Sequence, residues 1–201
     1  MTDAKGSAFD FIERLKRQAP EILDLLTAET VPDFDKAFDA WLERAVMRLE
    51  QNKKNYEKLG EEGLTSALAG ELRMPGLSVH QEENSNGHVD ITIESTCSSP
   101  VFRKLGEAKI YDGPKYHIKG LVQLLDRYST GRETRGLVLA YVRKKDIANL
   151  MKGIQKEMNS ELPLDQQGET RIHALKWSFI SSHKHSCGDV VDVAHIGCNL
   201  Y

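Results

Sequence analysis

Apolar residues recur at helical spacing through the first third of the chain, and the pattern changes character after it. Phe9, Phe11, Ile12 and Leu15 predict one helix, which Pro20 interrupts. Ile22, Leu23, Leu25 and Leu26 make a short apolar segment. Val31-Pro32-Asp33 then reads as a stop and a new start, with Asp33 as the N-cap. Phe34, Ala37, Phe38, Trp41, Leu42, Ala45, Val46 and Leu49 form a stripe that core packing explains best. QNKKNYEKLGEEG marks a boundary, and Leu64, Leu68 and Leu72 predict another short helix.

From residue 77 the period shortens to two. LSVHQEE is a short strand, and in HVDITIES Val89, Ile91 and Ile93 face away from Asp90, Thr92 and Glu94. Cys97-Ser98-Ser99-Pro100 is a turn, and VFRKLGEAKIY is the returning strand. Ile118, Leu121, Val122, Leu124 and Leu125 predict a helix that stops near Ser129-Thr130-Gly131. GLVLAYV is a continuous apolar run, as in a strand buried on both faces of a mixed or parallel sheet. A helix over Ile147–Met158 and two strands, RIHALKWSFISS and DVVDVAHI, complete the α/β pattern.

The hairpin carries charges that a plain hairpin does not need. Pairing residue 96 with 101 across the turn puts Glu94 opposite Arg103, Ile91 opposite Gly106 and Asp90 opposite Glu107. Lys109 lies two residues past Glu107 and shares its face. Directly opposed side chains have Cβ atoms about 4.5–5.5 Å apart, and two carboxylates that close resist joint ionisation. A divalent cation relieves the conflict. Oxygen-only ligands suit Mg²⁺ or Mn²⁺ rather than Zn²⁺. A solvated face with Glu107–Lys109 charge balance is the plain alternative.

Asp90, a hairpin, then Glu107-Ala108-Lys109 resembles the D…(D/E)xK signature of the restriction-endonuclease-like, or PD-(D/E)xK, nuclease superfamily. The resemblance spans about residues 56–143, where helix, three strands, helix and strand follow the family's αβββαβ order. It implies an α/β fold with a mixed sheet over residues 56–201, a helical N-terminal extension over 1–55, and an additional C-terminal helix and strands. It also implies a Mg²⁺- or Mn²⁺-dependent endonuclease in which Asp90 and Glu107 hold the metal and Lys109 assists the water or the transition state. Glu62 is the best match for the family's helical acid, with Glu61 and Glu71 as substitutes. Gln123 and Tyr128 fall where members carry a helical Gln or Tyr, but they stand five apart rather than the familiar four. Val89 stands where the motif has Pro. The biology implied is restriction, phage defence, DNA repair or the work of a mobile element, with a prokaryotic defence effector foremost. A catalytically inactive relative, acting as a binding or interaction subunit, is the alternative.

Composition fits this expectation. The chain has 201 residues, 28% of them charged, and a net charge of −3, which argues against a protein that simply coats nucleic acid. Residues 101–152 nevertheless carry twelve cations against five acids. Lys115, Lys119, Arg127 and Arg132, with Tyr128, are candidates for contact with DNA, and RNA ranks second. The N-terminal stripe has two readings: a dimer interface, since cutting two strands favours two active sites, or a cover for the domain's own sheet. A further subunit of a larger defence or repair system is a second kind of partner. Three cysteines, no signal peptide and no long apolar run predict a cytoplasmic protein without a membrane span. Near the end, His183, His185, Cys187, His195 and Cys198 form a competing metal candidate, though without a paired CxxC.

Overall fold

A computed structural model describes residues 7–84 and 88–201. Helix α1 (Ala8–Gln18) opens with a capping box, in which the Asp10 N–H donates to Ser7 Oγ and the Ser7 N–H donates to Asp10. Helix α2 (Pro20–Thr27) starts on Pro20, whose missing N–H is no loss in a first turn. Helix α3 (Val31–Gln51) is capped by Thr30, not by Asp33. Asp33 sits in the first turn, its N–H donating to Thr30 Oγ1 while its carboxylate accepts from that hydroxyl at 2.6 Å. Pro32 is tolerated inside this turn for the same reason as Pro20, so the cap falls before the proline and not after it.

The stripe on α3 packs Phe34, Phe38, Leu42 and Leu49 against Leu64, Leu68 and Leu72 of α4 (Glu61–Leu72) and against the sheet. It therefore covers the chain's own sheet, and α3 shares one core with the elements that follow residue 56. Of the described α-helices, only α1 buries no residue; Phe9 and Phe11 are exposed on it.

The sheet has seven strands in the order β1-β2-β3-β4-β7-β6-β5. Strands β1 (Leu77–Asn84), β2 (His88–Ser95) and β3 (Arg103–Ile110) form an antiparallel meander. Strand β4 (Gly136–Val142) joins β3 in parallel, through a crossover made by α5 (Pro114–Gln123) and a π-turn (Leu124–Tyr128). Helix α6 (Ile147–Glu161) leads to the short β5 (Arg171–Ile172), then β6 (Ser178–Lys184) and β7 (Val190–Asn199). Strand β7 inserts beside β4 in parallel, so β4 has parallel neighbours on both sides and every one of its residues is buried. Helices α5 and α6 and the π-turn cover the second face with Leu121, Leu124, Ile154 and Met158 over Leu105, Val138 and Val193. The result is an open mixed α/β sheet between two helical layers.

Two expectations need correction. The segment RIHALKWSFISS is not one strand, because Trp177 takes a positive φ and His173 turns its ring to Asp39 and Ser178. Lys104, one of the twelve cations, is fully buried on α3, paired with Asp35 and lying 5.3 Å from the ring centres of both Phe34 and Phe38. Burial pushes its pKa down to about 8 against the pull of Asp35. It cannot meet a phosphate.

Candidate active site

The β2–β3 ladder runs from Glu94↔Arg103 to Ile91↔Gly106 and stops there. Beyond it the N–H groups of Ala108 and Ile110 point to the side that β2 has left, since alternate residues of β3 serve β4. Two carboxylates fill the gap. The Ala108 N–H donates to Asp90 Oδ2 at 2.8 Å, and the Ile110 N–H donates to Glu61 Oε2 at 2.9 Å. Parting strands thus create two main-chain donors, and two acids arrive to satisfy them.

Glu107 and Lys109 stand on the same face of β3. Lys109 Nζ is 2.6 Å from Glu107 Oε1 and 3.2 Å from Glu61 Oε1. Glu107 is 1% exposed, and its Oε2 is buried with no hydrogen-bond partner. The backbone of α5 comes close above them at Gly120, where a Cβ would lie 3.1 Å from Lys109 Cγ and 3.4 Å from Glu107 Cγ. A larger residue there would press on both functional side chains.

Burial dominates the titration of Glu107. It raises the carboxyl, the Lys109 hydrogen bond opposes it, and the charge of Asp90 adds to it; the result is about 7. Burial works against the charge on Lys109, but the hydrogen bond and charge of Glu107, aided by Glu61 and Asp90, more than offset it and raise its pKa. Lys109 is therefore a held cation, not a base. Glu107 is a carboxyl poised near neutrality, a combination typical of functional sites.

The acid of α4 that reaches the cluster is Glu61, whereas Glu62, the best match in the sequence, does not reach it. Glu62 is exposed, with its carbonyl accepting from Gln81, and Glu71 pairs with Arg48 at 2.9 Å. The reason is periodicity: positions 61, 64, 65, 68 and 72 share the face of α4 that meets the sheet, whereas 62 is turned away. That signal was present in the leucine spacing.

Gln123 ends α5 and Tyr128 ends the π-turn that follows it. The Ser129 N–H donates to the Leu124 carbonyl at 2.9 Å, an i to i+5 bond that widens the helix by one residue. Tyr128 is buried, and the pKa of its hydroxyl is raised by burial and then by the charges of Glu107 and Asp90. Gln123 lines a groove of about 390 Å³ with Lys109, Tyr116, Lys119, Val122 and Arg127. Lys119 and Arg127 are exposed at this groove, Lys115 is exposed near the start of α5, and Arg132 is exposed on the loop before β4.

The His and Cys residues near the end do not gather. His183 and His195 are buried in a hydrogen-bonded chain, with Ser181 Oγ 2.7 Å from His183 Nε2 and 2.8 Å from His195 Nε2, and His117 Nε2 2.8 Å from His195 Nδ1. His185 and Cys187 lie in the turn beyond β6, and Cys198 is buried in the core on the α3 side. Among the described residues no group of three or more His, Cys, Asp or Glu is drawn together as a metal site. No described helix is long and apolar enough to cross a membrane.

Comparisons with protein-family models, with curated proteins and with solved structures find no match to this chain. The fold and site therefore define a class only coarsely: a mixed α/β protein with a buried carboxylate–lysine cluster at the parting of two strands.

Proposed function

We propose that the chain has a restriction-endonuclease-like core and is a divalent-metal-dependent phosphodiesterase acting on nucleic acid, DNA foremost. One observation carries the proposal. Glu107 and Glu61 hold Lys109 where β2 leaves β3, and Asp90 and Glu61 are tied to alternate main-chain donors of β3 beside it. A solvated charge balance would not bury Glu107 with one oxygen left unpartnered.

The donor set fits a hard cation. Asp90 and Glu107 offer carboxylate oxygens, and Glu107 Oε2 has no partner. Glu61, whose oxygens bond Lys109 and the Ile110 N–H, would have to release one of them to join as a third, so a cation would itself draw these acids together. When bound, Mg²⁺ or Mn²⁺ would polarise a phosphoryl oxygen and acidify a water. Glu107 must be ionised to hold it. Lys109 keeps its proton and directs positive charge at the phosphoryl oxygen as negative charge develops there. Tyr128, also kept protonated, and Gln123 are donors beside it. Lys119 and Arg127 hold the flanking phosphates.

The test is cleavage of supercoiled plasmid with Mg²⁺, Mn²⁺ or EDTA by wild type, Asp90→Ala and Lys109→Ala. Metal-dependent nicking lost in both variants is expected. Cleavage that survives in EDTA, or in both variants, refutes the assignment. A wild type that binds metal but cuts neither DNA nor RNA identifies an inactive relative instead.

A further inference from the structure

We infer that the groove beside Lys109 seats an unpaired nucleobase, so that the chain prefers single-stranded or splayed substrate over intact duplex. This rests on the phosphodiesterase reading above and names its substrate class. Helix α5 places Tyr116, Lys119, Val122 and Gln123 on the wall of one groove, and Arg127 reaches it from the π-turn. Tyr116 is 37% exposed, an aromatic ring presented to solvent, with Lys119 Nζ 5.9 Å from its centre.

The lining is mixed in an informative way. Phosphates need Lys119 and Arg127 but gain nothing from Tyr116 and Val122. A paired, stacked base cannot offer its face to a side chain, whereas an unstacked base has an apolar face that suits a tyrosine ring and a valine. Cations on the same wall neutralise the phosphates on either side of that base. At about 390 Å³ the groove has room for a single base. Lys109 lines this groove and pairs with Glu107, so a strand held there lies next to the acid cluster. Tyr116 acts as a positioning and specificity residue and does not touch the reacting atoms.

The test is fluorescence anisotropy in EDTA with a labelled single-stranded oligonucleotide and a blunt duplex of the same sequence, so that binding is read without cleavage. Wild type is expected to bind the single strand more tightly. Tyr116→Ala is expected to weaken that binding about fivefold or more while leaving the duplex unchanged, and Tyr116→Phe to restore it. Equal loss on both substrates, no loss on either, or no binding by wild type overturns the inference. Plasmid cleavage separates the two proposals. Metal-dependent cutting without any Tyr116 effect sinks the base site alone. Tyr116-dependent strand binding without cutting sinks the phosphodiesterase alone.

Discussion

Replacing Glu107 with Gln tests whether the buried carboxyl is held at the expense of stability. A carboxyl raised from 4.5 to about 7 corresponds to roughly 3 kcal/mol between its charged and neutral forms. The folded pKa lies above the unfolded one. The neutral form is thus favoured in the native state, and that advantage is complete below pH 4.5 and lost as pH rises through about 7. Glu107→Gln keeps an oxygen for Lys109 and nearly the same volume but never ionises. With EDTA present, the wild type should lose most of those 3 kcal/mol between pH 5 and pH 8, and the variant should not. Subtracting the two melting curves cancels every other titrating group. For a chain of this size the difference in Tm should change by roughly 5–10 °C across that range. Parallel curves for the two proteins would refute both the burial argument and the raised pKa.

Two further outcomes follow from the same geometry. Mg²⁺ must displace the proton on Glu107, so its apparent affinity should fall up to tenfold per pH unit below about 7 and level off above it; calorimetry in buffers of different ionisation enthalpy would show the released proton, and pH-independent affinity would contradict it. Gly120→Ala adds a methyl 3.1 Å from Lys109 Cγ and 3.4 Å from Glu107 Cγ in a helix that otherwise favours alanine by about 1 kcal/mol. Cleavage should drop severalfold with Tm changed by only a few degrees. Unchanged cleavage would mean that the site tolerates displacement of its lysine.

The hairpin was legible in the sequence because its register follows from the turn: the pairs Glu94↔Arg103 and Ile91↔Gly106 occur as the alternation predicts. The helical layers and the buried β4 were legible too, since each has one strong period or an unbroken apolar run. What the alternation could not show is where the ladder ends. Continuing the pairing sets Asp90 opposite Glu107, yet the strands part after Gly106, and Asp90 turns instead to the Ala108 N–H. The place of β7 beside β4 was also hidden, because neighbours in a sheet need not be neighbours in the chain.

The helical acid and the turn before Tyr128 differ in how far the sequence shows them. Glu61 was recoverable, since it shares the helical face of Leu64 and Leu68 while Glu62 does not. The five-residue interval from Gln123 to Tyr128 was not, because spacing alone assumes a regular helix. A π-turn holds one residue more than an α-helical turn, with less favourable hydrogen-bond geometry. Here it buries Tyr128 and leaves Arg127 at the mouth of the groove. The local irregularity is thus best explained by what it positions, and it lies one turn beyond Gly120, the residue whose missing side chain lets α5 close over the lysine.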